Sequence, residues 1–122
     1  MKRYIKILMA CSIVIFSVSC GKQHKAESVV KDFLDKNITE PEYSISFNSI
    51  DSTKNITDSM INVMKNNAKK DNLFKKEIAY GSSTGSKPYI FTKTRIYNGK
   101  DTMMYTFYID RMLQSVIAFK QN

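Results

Sequence analysis

The chain has 122 residues, 19 basic and 11 acidic side chains, a formal net charge of +8, one histidine, two cysteines and no tryptophan. That length suits one small domain rather than several. Both cysteines lie at or before position 20 and the histidine at position 24, so the rest of the chain has no thiol nucleophile, disulfide, thiolate metal site or histidine-based catalysis.

The first residues, Met1-Lys2-Arg3-Tyr4-Ile5-Lys6, are followed by an apolar run from Ile7 to Val18 and then Ser19-Cys20-Gly21. Cations, an apolar stretch and small residues at a cut form the layout of a secretory signal. As a helix the run would be about 18 Å long at ~1.5 Å per residue, short of the roughly 30 Å of a hydrocarbon core.

Ser17-Val18-Ser19-Cys20 resembles the lipobox of bacterial lipoproteins, with Ser17 where Leu is usual. Leu8-Met9-Ala10-Cys11 is locally a better match but has only a few apolar residues before it. The resemblance implies that the chain is cut before Cys20 and that Cys20 carries lipid. One acyl chain holds only marginally, whereas two or three make attachment effectively permanent. An ordinary secretory signal with a chance cysteine at the cut is the competing reading. The expected division is a lipoprotein signal peptide at 1–19, a polar lipidated tether at 20–25 and one domain at 26–122. No Asp follows Cys20 and no acidic cluster comes after it. By analogy with lipoprotein sorting, this implies an outer-membrane location facing the periplasm.

Ala26 to Ile38 reads as a helix. Ala26, Val30, Phe33, Leu34 and Asn37 share one face, and Glu27, Lys31, Asp32 and Lys36 lie outside. Pro41 ends it. Tyr43 to Phe47 alternates and predicts a half-buried strand, with a bulge or strand end near Asn48. A second helix, capped by Asn55 or Thr57, is expected to run to about Asn72. Its inner stripe is Ile56, Met60, Val63, Met64 and Asn67, with Ile61 and Ala68 flanking. Leu73 and Phe74 are expected to plug the core.

The last third predicts strands. Glu77 to Tyr80 is a candidate short strand, followed by the polar loop Gly81 to Ser86. Pro88 to Tyr97 and Asp101 to Ile109 pair around an Asn98-Gly99 turn, and Leu113 to Phe119 closes a meander. If Tyr97 opposes Lys100, then Ile90 opposes Phe107 and Thr94 opposes Met103. Ile90, Ile96, Met103, Tyr105, Phe107 and Ile109 then share one face, joined by Leu113, Ile117 and Phe119 across a link at Asp110-Arg111-Met112. The expected fold class is α+β, with two helices packed on one face of a three- to five-stranded antiparallel sheet that ends in a C-terminal β-meander.

The opposite face carries the candidate binding residues Tyr89, Phe91, Arg95, Tyr97, Met104 and Tyr108. Aromatic side chains with Arg and Met are enriched at binding patches. The competing reading is that the faces are swapped or that this one is covered.

Other motifs carry less. Gly81-Ser82-Ser83-Thr84-Gly85-Ser86-Lys87 lacks the spacing of a phosphate loop and leads into a strand, so it reads as a hairpin loop. Asp32 with Asp35 and Glu40 with Glu42 are near neighbours rather than carboxylates facing across a cleft. Lys65, Lys69, Lys70, Lys75 and Lys76 form a basic set, either a solubilising helix face or a site for an anionic partner. Asp51-Ser52-Thr53, Asp58-Ser59-Met60 and Asp101-Thr102-Met103 resemble a bacterial O-glycosylation motif. No catalytic residue, metal site, cofactor or nucleic-acid module is assigned.

Cys20-Gly21, then Ala26 to Leu34, then Pro41-Glu42-Tyr43, and finally Thr94 to Gly99 with Phe107 to Asp110, resemble small Bacteroidota lipoproteins of unknown function. The resemblance implies an envelope lipoprotein, held to the membrane by the lipid on Cys20 and with an envelope protein or glycan as partner. Its expected role is a binding or accessory module. The alternative is a small carbohydrate-binding or hydrolytic lipoprotein with a concave pocket.

Overall fold

A computed structural model describes residues 21–39, 42–81 and 87–122. The expected signal segment, Cys20, Pro41 and most of the Gly81–Ser86 loop lie outside the described residues. Helix α1 occupies 21–37. It is followed by strands β1 (Ser44–Phe47) and β2 (Asp51–Thr53), helix α2 (Asp58–Ala68), and strands β3 (Tyr89–Tyr97), β4 (Thr102–Ile109) and β5 (Val116–Gln121). The sheet is antiparallel, in the order β1-β3-β4-β5, with β2 pairing the remaining stretch of β3. The expected α+β class, two helices on an antiparallel sheet ending in a meander, is the fold observed, but the helices do not share one face: α1 covers the main core and most of the buried side of α2 covers the other face.

The apolar stripe of α1 is buried as its spacing predicts: Ala26, Val30, Phe33, Leu34 and Asn37 all face inward. They meet Ile96, Tyr105, Phe107, Ile109 and Phe119 in the main core, where Phe33 packs edge-on against Phe107 and Phe119. Residues 21–25, expected as a tether, are instead helical. Gln23 ties them to the β1–β2 corner, accepting from the Ile50 amide at 2.8 Å and donating to the Asn48 carbonyl at 3.1 Å.

Thr57 caps α2, its hydroxyl accepting from the Met60 amide at 3.2 Å. Asp58 in the first turn and Lys65 in the last complement the helix dipole. The helix stops at Ala68 rather than Asn72, and its buried face is Ile61, Met64 and Ala68. Met60 and Val63, expected inside, are exposed at 44% and 54%, and Asn67 is exposed too. The reason is where the helix lands. It packs on β5. Ile61 and Met64 join Ile56, Tyr89, Tyr108, Ile117 and Ala118 on the far face of the sheet, whereas Ala68, Leu73 and Phe74 join the main core. The inward stripe therefore sits about one residue round from the one the sequence predicts.

The β3–β4 register differs from the expected one by two residues: Tyr97 opposes Thr102 and Ile90 opposes Ile109. The connection is longer than a two-residue turn. Asn98 closes it, donating its amide to Asp101 and accepting from the Lys100 and Asp101 amides on its side chain. Gly99 takes the positive φ of 97° there. A shift of two preserves which face each side chain occupies, so the predicted partition survives in β3 and β4. It fails in β5. A bulge opposite Tyr108/Ile109 sends Ile117 into the far-face cluster while Val116 and Phe119 stay in the main core. The link into β5 also runs from Asp110 to Ser115, longer than the three residues expected.

Glu77 to Tyr80 forms no strand. Hydrogen bonds hold the segment instead. The buried Asn37 accepts from the Ala79 amide at 3.0 Å and donates to the Phe33 carbonyl at 2.8 Å, and the Gly81 amide reaches the Val116 carbonyl at 3.0 Å.

Candidate functional site

The far face of the sheet is divided by α2. Tyr89 and Tyr108, expected toward solvent, are 1% and 6% exposed because Ile56, Ile61 and Met64 lie over them. They belong to the floor and not to the surface. Phe91 is half-buried at the margin, its ring centroid 6.0 Å from that of Tyr108. Arg95, Tyr97 and Met104 are exposed, Tyr97 by 45% and Met104 by 40%. The candidate residues thus fall into two groups, one under the helix and one open, joined through Phe91.

The strand register builds the open part row by row. Ser44 lies beside Tyr97, which lies beside Thr102; Ser46 lies beside Arg95, which lies beside Met104. In the next row Lys93, Thr106 and Lys120 are neighbours. Adjacent strands are roughly 4.8 Å apart, so Lys93 and Lys120 flank Thr106, which is buried at 2% between them. The Thr106 hydroxyl is bonded to Asn122 Oδ1 at 3.0 Å. Tyr97 is steadied by its hydroxyl, which donates to the Gly99 carbonyl at 3.0 Å.

This surface is a shallow strip with three exposed cations, Lys93, Arg95 and Lys120, beside two apolar side chains, Tyr97 and Met104. Asp51 at the β2 corner is the only carboxylate among the strand residues of that face. Two of the cations were not singled out from the sequence. The signal for Lys93 was present, since it alternates in phase with Phe91, Arg95 and Tyr97. The signal for Lys120 was present too, since it follows Phe119, whose expected core face is the one observed.

The second basic set is split. Lys65, Lys69 and Lys76 line a groove with Asn62, Asn66 and Tyr80, while Lys70 and Lys75 are exposed outside it. Lys65 Nζ sits 4.9 Å from the Tyr80 ring centroid, a cation–π distance. Burial pushes the Tyr80 hydroxyl up to about 12, and the hydroxyl has no hydrogen-bond partner among the described residues.

Of the paired carboxylates, Asp35 serves the scaffold, Asp32 and Glu42 are exposed, and Glu40 lies outside the described residues. Asp35 accepts from the Tyr43 hydroxyl at 2.7 Å, pinning the entry to β1 against α1. Burial and this carboxylate together raise the Tyr43 pKa. His24 is exposed on α1. Among the described residues no three His, Cys, Asp or Glu side chains gather as a metal site, and no helix is long and apolar enough to cross a membrane. Ser52, Ser59 and Thr102 of the O-glycosylation-like motifs are all exposed. No protein-family model, curated protein or solved structure matches the chain.

Proposed function

We propose that the chain is a lipid-anchored binding module of a bacterial envelope, held through Cys20 and facing the periplasm. Its partner is an acidic segment of another envelope protein, docked on the open strip of the sheet. The observation that carries this reading is the charge of that strip. Lys93, Arg95 and Lys120 stand on one sheet face with Met104 beside Arg95, Tyr97 in the next row, and a single carboxylate among the strand residues, at the corner. Such a surface attracts an acidic partner over distance and offers apolar area for close contact.

The strip runs from the anchor-side β1–β2 corner, where the Lys93 carbonyl accepts from the Asn48 amide at 2.9 Å, toward the hairpin. Gln23, three residues after Cys20, is bonded to the β1–β2 corner, and Tyr97 and Met104 flank the Asn98–Asp101 hairpin at the other end of the same sheet. An anchor at Cys20 therefore leaves the Tyr97 end of the strip the farther from the lipid.

The test is cross-linking in native membranes, with a photoreactive residue at Ser46, Met104 or, as a control, Val63. The expected result is one adduct from Ser46 and Met104, absent at Val63 and lost in the Lys93→Glu/Arg95→Glu variant. Adducts that persist in that variant contradict the proposal. A glycan adduct in place of a protein would replace the proposed partner class.

A further inference from the structure

We infer that the anchor-side end of the domain rests on the bilayer itself, with Met112 at the lipid interface and Arg111, Lys22 and Lys25 against anionic phospholipid headgroups. This rests on the anchoring of Cys20 proposed above, and it adds an orientation that anchoring alone does not supply.

Three features point to it. First, no slack separates the anchor from the fold. Residue 21 is helical and follows Cys20 by one peptide unit, about 3.8 Å, and two residues later Gln23 is fastened to Asn48 and Ile50. A lipid on Cys20 would bring this end of the domain to the headgroups.

Second, the loop beside that end presents an apolar side chain outward. Met112 is the most exposed large hydrophobic side chain among the described residues, at 62%. Its neighbour Arg111 is exposed as well. The loop is built to hold this shape: the Asp110 carboxylate accepts from the Met112, Gln114 and Ser115 amides at 3.1, 2.7 and 2.7 Å. Leu113 takes a positive φ of 57° and turns inward to the core. Burying Leu113 while leaving Met112 outside fixes which of the two faces the membrane.

Third, cations from α1 border the loop. Lys25 Nζ reaches the Met112 carbonyl at 3.5 Å, and Lys22, one turn earlier, shares its side of the helix. Basic side chains near an anionic surface each favour contact by about 1 kcal/mol, falling off within a Debye length. An exposed apolar side chain flanked by cations, here Arg111 and Lys25, fits the boundary between headgroups and acyl chains better than it fits water.

The test uses the lipidated mature protein in vesicles of phosphatidylethanolamine and phosphatidylglycerol. An environment-sensitive fluorophore is placed on Met112→Cys or, at the opposite end of the sheet, on Lys100→Cys. The expected result is a blue-shifted Met112 label quenched by nitroxide-bearing lipids, with the Lys100 label unquenched. The Met112 quenching should also weaken in phosphatidylcholine vesicles or in Arg111→Glu/Lys25→Glu. An unquenched Met112 label on protein whose mass confirms lipid at Cys20 overturns this inference and leaves the anchoring intact. A mature mass without lipid overturns both.

Discussion

The Tyr105 hydroxyl donates to Asp71 Oδ2 at 2.7 Å, joining the centre of the sheet to the turn that follows α2. The other oxygen of Asp71 accepts from the Leu73 amide at 3.0 Å, so one carboxylate positions Leu73 and Phe74 and fastens them to β4. Phe74 then packs edge-on against the Tyr105 ring, centroids 5.6 Å apart. Tyr105→Phe keeps the ring and removes the bond. A hydrogen bond to a charged group contributes about 1.5–3 kcal/mol, so urea unfolding should shift by that amount. An unchanged midpoint would remove Asp71 from the stability of the fold.

Asn37 is a second fastening point, and a polar one inside the core. It is 2% exposed and bonds both its own helix, at Phe33, and the strandless segment at Ala79. Asn37→Ala leaves the Ala79 amide without its acceptor, at a cost of about 1–3 kcal/mol. Asn37→Leu should not rescue it, because the lost bond and not the lost volume sets the cost. Chemical denaturation of both variants checks this, and recovery by Leu would contradict it.

These fastenings mark where the sequence is readable and where it is not. Helix α1 was legible because Ala26, Val30, Phe33, Leu34 and Asn37 follow a single period over one uniform partner, the sheet. The faces of β3 and β4 were legible because parity survives a slip of two residues. The inner stripe of α2 was not, because the helix sits at β5 and divides its buried residues between two clusters. Which side is buried depends on a neighbour remote in sequence. The same neighbour explains Tyr89 and Tyr108, whose composition suits an exposed patch equally well. Ile117 was misplaced because no local signal announces the bulge opposite Tyr108/Ile109.

Gly81 should tolerate no side chain. A Cβ built there would overlap the Ser115 side chain, at the point where the Gly81 amide bonds Val116. Gly81→Ala is expected to destabilise by about 1–3 kcal/mol through overpacking. Ser115→Gly in the same chain should return much of the loss, since the Ser115 bond to Asp110 uses the backbone amide. Thermal unfolding of the two single variants and the double variant reads the coupling. Additive losses would contradict it.

Alkaline pH should weaken the fold through its tyrosines. Burial raises Tyr80 to about 12. Burial and a carboxylate partner raise Tyr43 through Asp35 and Tyr105 through Asp71. A tyrosine whose folded pKa exceeds its unfolded value of about 10 stabilises fully below that value. Its contribution is lost as pH climbs through the folded pKa. Stability attributable to these groups should hold up to about pH 10 and fall above it. Tyr80→Phe should shallow the fall and leave neutral-pH stability unchanged or slightly higher, because it removes a shielded hydroxyl with no partner among the described residues. Urea midpoints across the alkaline range, paired with phenolate absorbance, check both. A midpoint indifferent to pH until every tyrosine has ionised would contradict the assignment.

The proposed anchoring through Cys20 would decide which end of the domain meets the membrane. The most direct measurement is the intact mass of the full-length chain, expressed in a bacterial host, extracted from membranes with detergent and fragmented from its N-terminus. The account predicts a chain that begins at Cys20, with two or three acyl chains on that residue. A chain that retains residues 1–19, or one cut elsewhere with an unmodified Cys20, would contradict it.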